Sequence, residues 1–264
     1  MQLRLLTHFA LSALALPSSS SPLPSSRSKA KPPFFLLAGD STTATQATNG
    51  GGWGDGFLNT TLHRGANGLN YGHNGATTVS FRDGGDWDTV LEKAGEVGDV
   101  YAPYVTIQFG HNDQKPAKNI SVAQYTANLE RFVAETREAG ATPILVTPLS
   151  RRTFNESTGT IVLNLEDQTV ATIQAARNSK AKYIDLNRES TRYLNAIGED
   201  QAHTYNLSPD DNTHLNVEGS QVFGGLVASL IVGVIPELKR AGFVAVDGAL
   251  ETTLRKGEYY WPEV

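Results

Sequence analysis

The sequence predicts an α/β protein, a three-layer αβα sandwich around a five-stranded parallel sheet. Three observations lead there. Short apolar runs at Phe34–Ala38, Tyr104–Phe109, Ile144–Thr147 and Tyr183–Leu186, with a weaker one at Leu69–Tyr71, are near-continuous rather than strictly alternating, as in strands buried on both faces. Helical patterns lie between them, and this alternation is the mark of a doubly wound sheet. The 264 residues are 39% apolar and 19% charged, a balance that one α/β domain can fill.

The chain opens with Met1 and Arg4, then a mostly apolar run from Leu5 to Leu16. A charged start and an apolar stretch too short to span a bilayer predict a secretory signal peptide over residues 1–16, with Ala13-Leu14-Ala15 offering the small-x-small pattern. Residues 17–33 hold seven Ser and five Pro, a composition that cannot bury enough surface to offset backbone ordering, and are expected to form a spacer. The folded domain is then expected over 34–264. Asn-x-Ser/Thr triplets at Asn59, Asn119, Asn155 and Asn206 fit an extracellular glycoprotein, with Pro209 counting against use of the last.

Within the domain the clearest helix runs from Ser121 to Ala139. Val122, Tyr125, Leu129, Phe132 and Val133 fall at helical spacing, Ser121 and Gln124 suggest a capping box, and Gly140 is a natural stop. A second amphipathic stretch covers Leu165–Arg177, and a more apolar third covers Val217–Ile235 before Pro236.

Composition excludes several chemistries. With no Cys there is no disulfide scaffold, thiolate zinc site or cysteine nucleophile. The six His form no His-x-x-x-His pair, so neither a metal nor any other cofactor is expected. Four of the 22 basic residues and none of the 27 acidic ones lie in 1–33, so residues 34–264 carry 18 against 27, a formal −9. Nucleic acid is therefore not an expected partner. No other window is apolar enough to predict a membrane span, and a monomer is expected.

In doubly wound sheets ligands bind beyond the carboxyl ends of the strands, so the residues after each apolar run carry the functional signal. Gly39-Asp40-Ser41 follows the first run. The Gly permits a sharp bend, and Ser41 is expected to start a helix, with its hydroxyl and N–H facing the crevice; Asp and Ser here also suit a simple helix cap. Gly72-His73-Asn74-Gly75 exposes backbone donors, although Asn-Gly is also a routine turn pair. Gly110-His111-Asn112-Asp113 follows Phe109, and an Asn amide there can donate to developing negative charge. In Asp211-Asn212-Thr213-His214 a carboxylate stands three residues before an imidazole, near enough to fix its tautomer. Each segment alone reads as a turn. No structural account requires all of them together in chain order.

These segments resemble the blocks of the SGNH (GDSL-type) serine hydrolase family. The likeness runs from Phe34 to Ile235 and is closer to rhamnogalacturonan acetylesterases, through Ala38-Gly39-Asp40-Ser41-Thr42, Gly52-Trp53-Gly54, Phe109-Gly110-His111-Asn112-Asp113, Thr147-Pro148 and Thr213-His214-Leu215. The resemblance implies a flavodoxin-like SGNH fold, Ser41 as nucleophile, His214 as general base and Asp211 as its orienting carboxylate. It further implies an oxyanion hole from the Ser41 N–H, the Gly75 N–H and the Asn112 side chain, with Asp40, His111 and Asp113 supporting. Thr42 stands where many relatives carry Leu, and Ser41 lacks the Gly-x-Ser-x-Gly elbow of common α/β-hydrolases.

The implied substrate is an acetylated plant cell-wall polysaccharide, foremost rhamnogalacturonan. An acidic protein cannot draw in a uronate polymer by long-range attraction, so local cations are needed, and Arg151 and Arg152 are candidates for the crevice rim or for solvated loop charges. Trp53 and Trp87 are candidates for stacking on sugar or for core packing. Few apolar residues surround the motifs, which disfavours a long-chain lipase pocket. Acetylxylan or another short ester is the alternative substrate, and a non-catalytic carbohydrate-binding protein the alternative class.

Overall fold

The computed structural model describes residues 30–263. The expected signal segment and all but the end of the expected spacer lie outside the described residues. From Lys31 onward the chain forms one compact unit.

The sheet is built from β1 (Pro33–Gly39), β2 (Asn67–Asn70), β3 (Ala102–Gln108), β4 (Thr142–Val146) and, after the small antiparallel hairpin β5 (Phe154–Asn155) and β6 (Thr160–Ile161), β7 (Lys182–Ile184). Its order is β2-β1-β3-β4-β7, every pair parallel, with β1 in register from Pro33 opposite Ala102 to Gly39 opposite Gln108. Alternate β1 side chains feed two cores. Phe35 and Leu37 enter one, Phe34, Leu36 and Ala38 the other, which is why this strand tolerates no polar residue.

Helices α1 (Gly54–Thr61), α2 (Thr78–Asp83), α3 (Asp86–Val97), α4 (Val122–Glu138) and α5 (Glu166–Asn178) are followed by α6 (Leu186–Ile197), α7 (Glu199–His203), α8 (Val217–Val234), α9 (Pro236–Arg240) and α10 (Gly248–Lys256). The second core takes Trp87 and Val90 from α3, Leu129 and Phe132 from α4, and Ala171 and Ala175 from α5. The first takes Phe57, Tyr193, Phe223, Ile231 and Leu250 from α1, α6, α8 and α10. The three layers are those the sequence predicts. Among the described residues α8 alone has the length and apolarity to cross a membrane, and ten of its residues are instead buried against the sheet and its neighbours.

Helix boundaries follow local chemistry. Ser121 caps α4 by accepting from Gln124 N (3.1 Å), and Gly140, at φ 78°, ends it. Val122 is exposed, so the buried stripe of α4 begins at Tyr125. The third apolar helix stops at Val234 because Pro236 opens α9.

The segment after β1 departs from expectation. Ser41 begins no helix. A single turn closes through Thr43 N and Ala44 N donating to Asp40 O (3.0 and 3.1 Å), and helix starts only at Gly54. The carbonyls of Thr42, Thr43 and Ala44, which a helix would bond internally, accept instead from Trp53 N, Gly54 N and Gly52 N. That crossing is close. A Cβ on Gly52 would lie 2.0 Å from Thr42 O, and one on Gly39 would lie 2.3 Å from Thr43 Oγ1.

Candidate active site

Four segments meet at the carboxyl edge of the sheet: the turn after β1, the loop after β2, the loop after β3, and the loop 206–215 between α7 and α8. A buried polar chain shapes the first. Gln108 Nε2 donates to Thr42 Oγ1 (2.6 Å), which donates to Asp40 Oδ1 (2.7 Å), which also accepts from Thr42 N (2.9 Å). Gln108 Oε1 accepts from Thr43 Oγ1 and from the indole N–H of Trp53. The Ser41 turn is thus held by an amide on β3, its neighbour in the sheet.

The last segment is tied to the first. Leu215 N donates to Gly51 O (2.8 Å), Gln46 Nε2 donates to Leu215 O (2.9 Å), and Leu207 N donates to His214 O (2.9 Å). These bonds place His214 Nε2 2.8 Å from Ser41 Oγ across 173 positions of sequence, with His214 Nδ1 2.8 Å from Asp211 Oδ2. Asp211 Oδ1 accepts from His214 N (2.9 Å) and Thr213 N (3.0 Å). Partial burial works against ionisation of Asp211, but the bonds from His214 and Thr213 outweigh it and hold the carboxyl below its usual range. An ionised Asp211 only accepts, so Nδ1 carries the ring proton and Nε2 is left to accept from the serine hydroxyl.

The oxyanion candidates line the same crevice, an open space of about 400 Å³ bordered by Ser41, Gly75, Asn112, Arg151 and His214. Neither the Ser41 N–H nor the Gly75 N–H donates to any group among the described residues. Gly75 reaches its orientation through φ 78°, which a side chain would oppose. The Asn112 amide is buried; Nδ2 donates to Ala76 O (3.0 Å), leaving its second hydrogen for the crevice.

The three supporting residues of the sequence reading are buried beneath. Asp113 Oδ1 accepts from Thr78 N and Thr78 Oγ1 (2.8 and 2.6 Å), fastening the post-β3 loop to α2. Burial raises its pKa above the ordinary carboxylate range, and burial pushes Asp40 up to about 6. His111 Nδ1 lies 3.7 Å from Asp40 Oδ2; burial and then the Arg151 charge lower His111 well below an ordinary imidazole, so it is neutral at pH 7.

Two of the three expected substrate contacts are corrected. Trp53 has no exposed surface; its ring packs edge-on to Phe57 and its N–H is spent on Gln108, so no face is left for a sugar. Trp87 is likewise buried, its N–H donating to Glu135 Oε2 (2.7 Å). Arg152 is also fully buried. Its Nε donates to Asn206 Oδ1 (2.5 Å) and its Nη2 to His214 O (2.6 Å), with a longer contact to Asp211 O (3.4 Å). Burial lowers the guanidinium to about 9, which leaves it charged at neutral pH. Arg152 therefore braces the loop carrying Asp211 and His214 from below. Arg151, its neighbour in the chain, lines the crevice instead.

Sequence reasoning passed over Gln108 and Lys115, and read Asn206 only as a glycosylation triplet. Asn206 is buried, with Nδ2 donating to Asn212 Oδ1 (2.8 Å), so this triplet has no free amide for a glycan, whereas Asn59, Asn119 and Asn155 are exposed. A Gln ending an apolar strand and a Lys just before Pro116 were the available signals.

A parallel sheet that gathers a serine, an imidazole and a carboxylate in one hydrogen-bonded line, beside free N–H donors, has the parts for acyl transfer. Comparison with known proteins agrees: the GDSL-like lipase/acylhydrolase family model matches residues 37–222. The chain belongs to that family and is a carboxylic ester hydrolase. Its relatives include two Bacillus subtilis (strain 168) proteins, "Probable rhamnogalacturonan acetylesterase YesY" and "Rhamnogalacturonan acetylesterase RhgT". The first is 32% identical over 74% of this chain and 90% of its own length, the second 31% over 75% and 89%. Among solved structures, the Bacillus subtilis protein YXIM superposes with a TM-score of 0.65 at 23% identity, over 81% of this chain and 58% of that one. Axe2, an acetylxylan esterase from Geobacillus stearothermophilus, superposes with 0.54 at 19%, over 83% and 98%. These two establish likeness of fold.

Proposed function

We propose that the chain is a secreted serine esterase that removes acetyl groups from rhamnogalacturonan by two-step acyl transfer. The observation that carries this reading is the line Ser41 Oγ–His214 Nε2–Nδ1–Asp211 Oδ2, with 2.8 Å at each link, ending beside the donors of Ser41, Gly75 and Asn112. His214 takes the Ser41 proton as Oγ attacks the acetyl carbonyl. The oxyanion is met by three N–H groups, and His214 returns the proton to the departing sugar hydroxyl. Water, activated by the same ring, then releases acetate and frees Ser41. His214 must be neutral to begin, so the rate falls on the acid side.

Support for the polysaccharide comes from the names and coverage of the two Bacillus subtilis relatives. Arg151 supplies the local cation that a uronate backbone needs at the crevice. No large apolar side chain lines the crevice, which suits a sugar better than a long acyl chain. The leader-like residues 1–16 and the exposed triplets at Asn59, Asn119 and Asn155 support an extracellular location.

The test is acetate release from acetylated rhamnogalacturonan and from acetylxylan, side by side, with Ser41→Ala as control. The reading expects faster release from rhamnogalacturonan and none with Ser41→Ala. Preference for acetylxylan would overturn the substrate, and a covalent acyl adduct persisting in Ser41→Ala would overturn the nucleophile.

A further inference from the structure

We infer that Lys115 is a positioning residue for the oxyanion hole: its ammonium holds and polarises the Asn112 amide whose N–H faces the crevice. This rests on the esterase reading above. Lys115 Nζ donates to Asn112 Oδ1 (2.6 Å) while Asn112 Nδ2 donates to Ala76 O (3.0 Å). An ammonium can only donate and a carbonyl only accept, so the two partners together fix which end of the amide is which. Reversed, the NH₂ would face a cation and the oxygen a carbonyl. The arrangement leaves one N–H, and no lone pair, for the incoming oxyanion.

The local chain places the lysine there. Lys115 N donates to Asn112 O (3.1 Å), closing a turn that folds residue 115 back over residue 112. Pro116, which follows, keeps Lys115 extended (φ −67°, ψ 125°) and starts a short 3₁₀ turn, Pro116–Lys118. A positive charge on the amide oxygen draws electron density from the nitrogen, making the remaining N–H a stronger donor when charge develops on the substrate. Because negative charge develops on the substrate oxygen only in the transition state, that stronger donor acts in kcat.

The alternative is that Lys115, which borders the crevice with Arg151, only contacts substrate carboxylates. A neutral substrate separates the two. With 4-nitrophenyl acetate, Lys115→Met is expected to lower kcat about tenfold with KM little changed, a part of the 10²–10³-fold cost of deleting an oxyanion donor. Lys115→Arg should recover most of it. In a double-mutant cycle, Lys115→Met should cost nothing further on an Asn112→Ala background, because the charge acts through that amide. Lys115→Met with parental kcat, a change confined to KM on acidic polysaccharide, or full additivity with Asn112→Ala would each overturn the inference. Parental kcat in Asn112→Ala would instead overturn the oxyanion assignment, and this inference with it.

Discussion

Replacing Arg152 by Met keeps the bulk of a long side chain but removes the charge and donors beneath the loop that carries Asp211 and His214. The side chain makes two short bonds, to Asn206 Oδ1 (2.5 Å) and His214 O (2.6 Å). Hydrogen bonds from a charged donor contribute roughly 1.5–3 kcal/mol each, giving about 3–6 kcal/mol for the pair. Two effects subtract from this. Nη1 has no partner among the described residues, and the desolvation of a fully buried guanidinium ends with the mutation. A net loss of about 3 kcal/mol is expected, or a fall in Tm of roughly 6–12 °C for a domain of this size. Urea denaturation should show the change in midpoint with an unaltered slope. Below the unfolding transition, kcat should drop more than tenfold while KM changes little, because a His214 carbonyl held by Leu207 N alone lets the imidazole drift from Ser41. Arg152→Lys should rescue only in part, since one ammonium cannot span both acceptors. A Met variant within about 0.5 kcal/mol of the parent and equal to it in kcat would refute the bracing argument.

Three further outcomes can be checked. Asn112→Ala should leave the unfolding midpoint near that of the parent but reduce kcat roughly 10²–10³-fold on a small acetate ester; equal turnover would remove the amide from the reaction. Asp40, at about 6 against an ordinary 3.8, binds more protons folded than unfolded between those values, so its contribution makes stability fall as pH rises from about 4 to about 6. Asp40→Asn keeps an acceptor for Thr42 and deletes that titration, so from pH 4 to pH 7 the variant should gain about 2 kcal/mol relative to the parent in urea melts; parallel pH profiles would contradict this. Gly52→Ala would put a Cβ 2.0 Å from Thr42 O and 2.4 Å from Thr43 N, both backbone atoms that cannot swing aside. A loss near the upper end of the 1–3 kcal/mol typical of overpacking is expected, with reduced turnover as the Ser41 turn shifts.

The central strands were legible because β1, β3 and β4 are covered on both faces, so burial imposes a continuous apolar run. The edge strand β2, Asn67–Asn70, alternates between exposed and half-buried, and only Leu69 hinted at it. The reactive segments were legible for a different reason: after a strand ends, turn-forming and polar residues are required, and these ones also carried a coherent chemistry. What the sequence concealed was direction. Arg151 and Arg152 are adjacent and the same residue type, yet one borders the crevice and the other is fully buried, a difference that residue type alone does not reveal. Trp53 likewise sits within a motif near Ser41 but satisfies its N–H on Gln108, a partner 55 positions away that no local pattern announces. The Ser41 turn looked like a helix start since Asp and Ser favour that role; the carbonyls such a helix needs are claimed by Gly52, Trp53 and Gly54, a tertiary contact.

The first strand of the domain occupies an interior lane of the sheet, flanked by β2 and β3, and the imidazole that serves it lies just before α8. During synthesis the serine therefore leaves the ribosome early, while its partner ring is still to be translated. A chain halted before residue 214 contains every strand of the sheet but lacks the base that the proposed mechanism assigns to His214. Under the proposed mechanism, the Ser41 hydroxyl gains its base only after synthesis has passed residue 214.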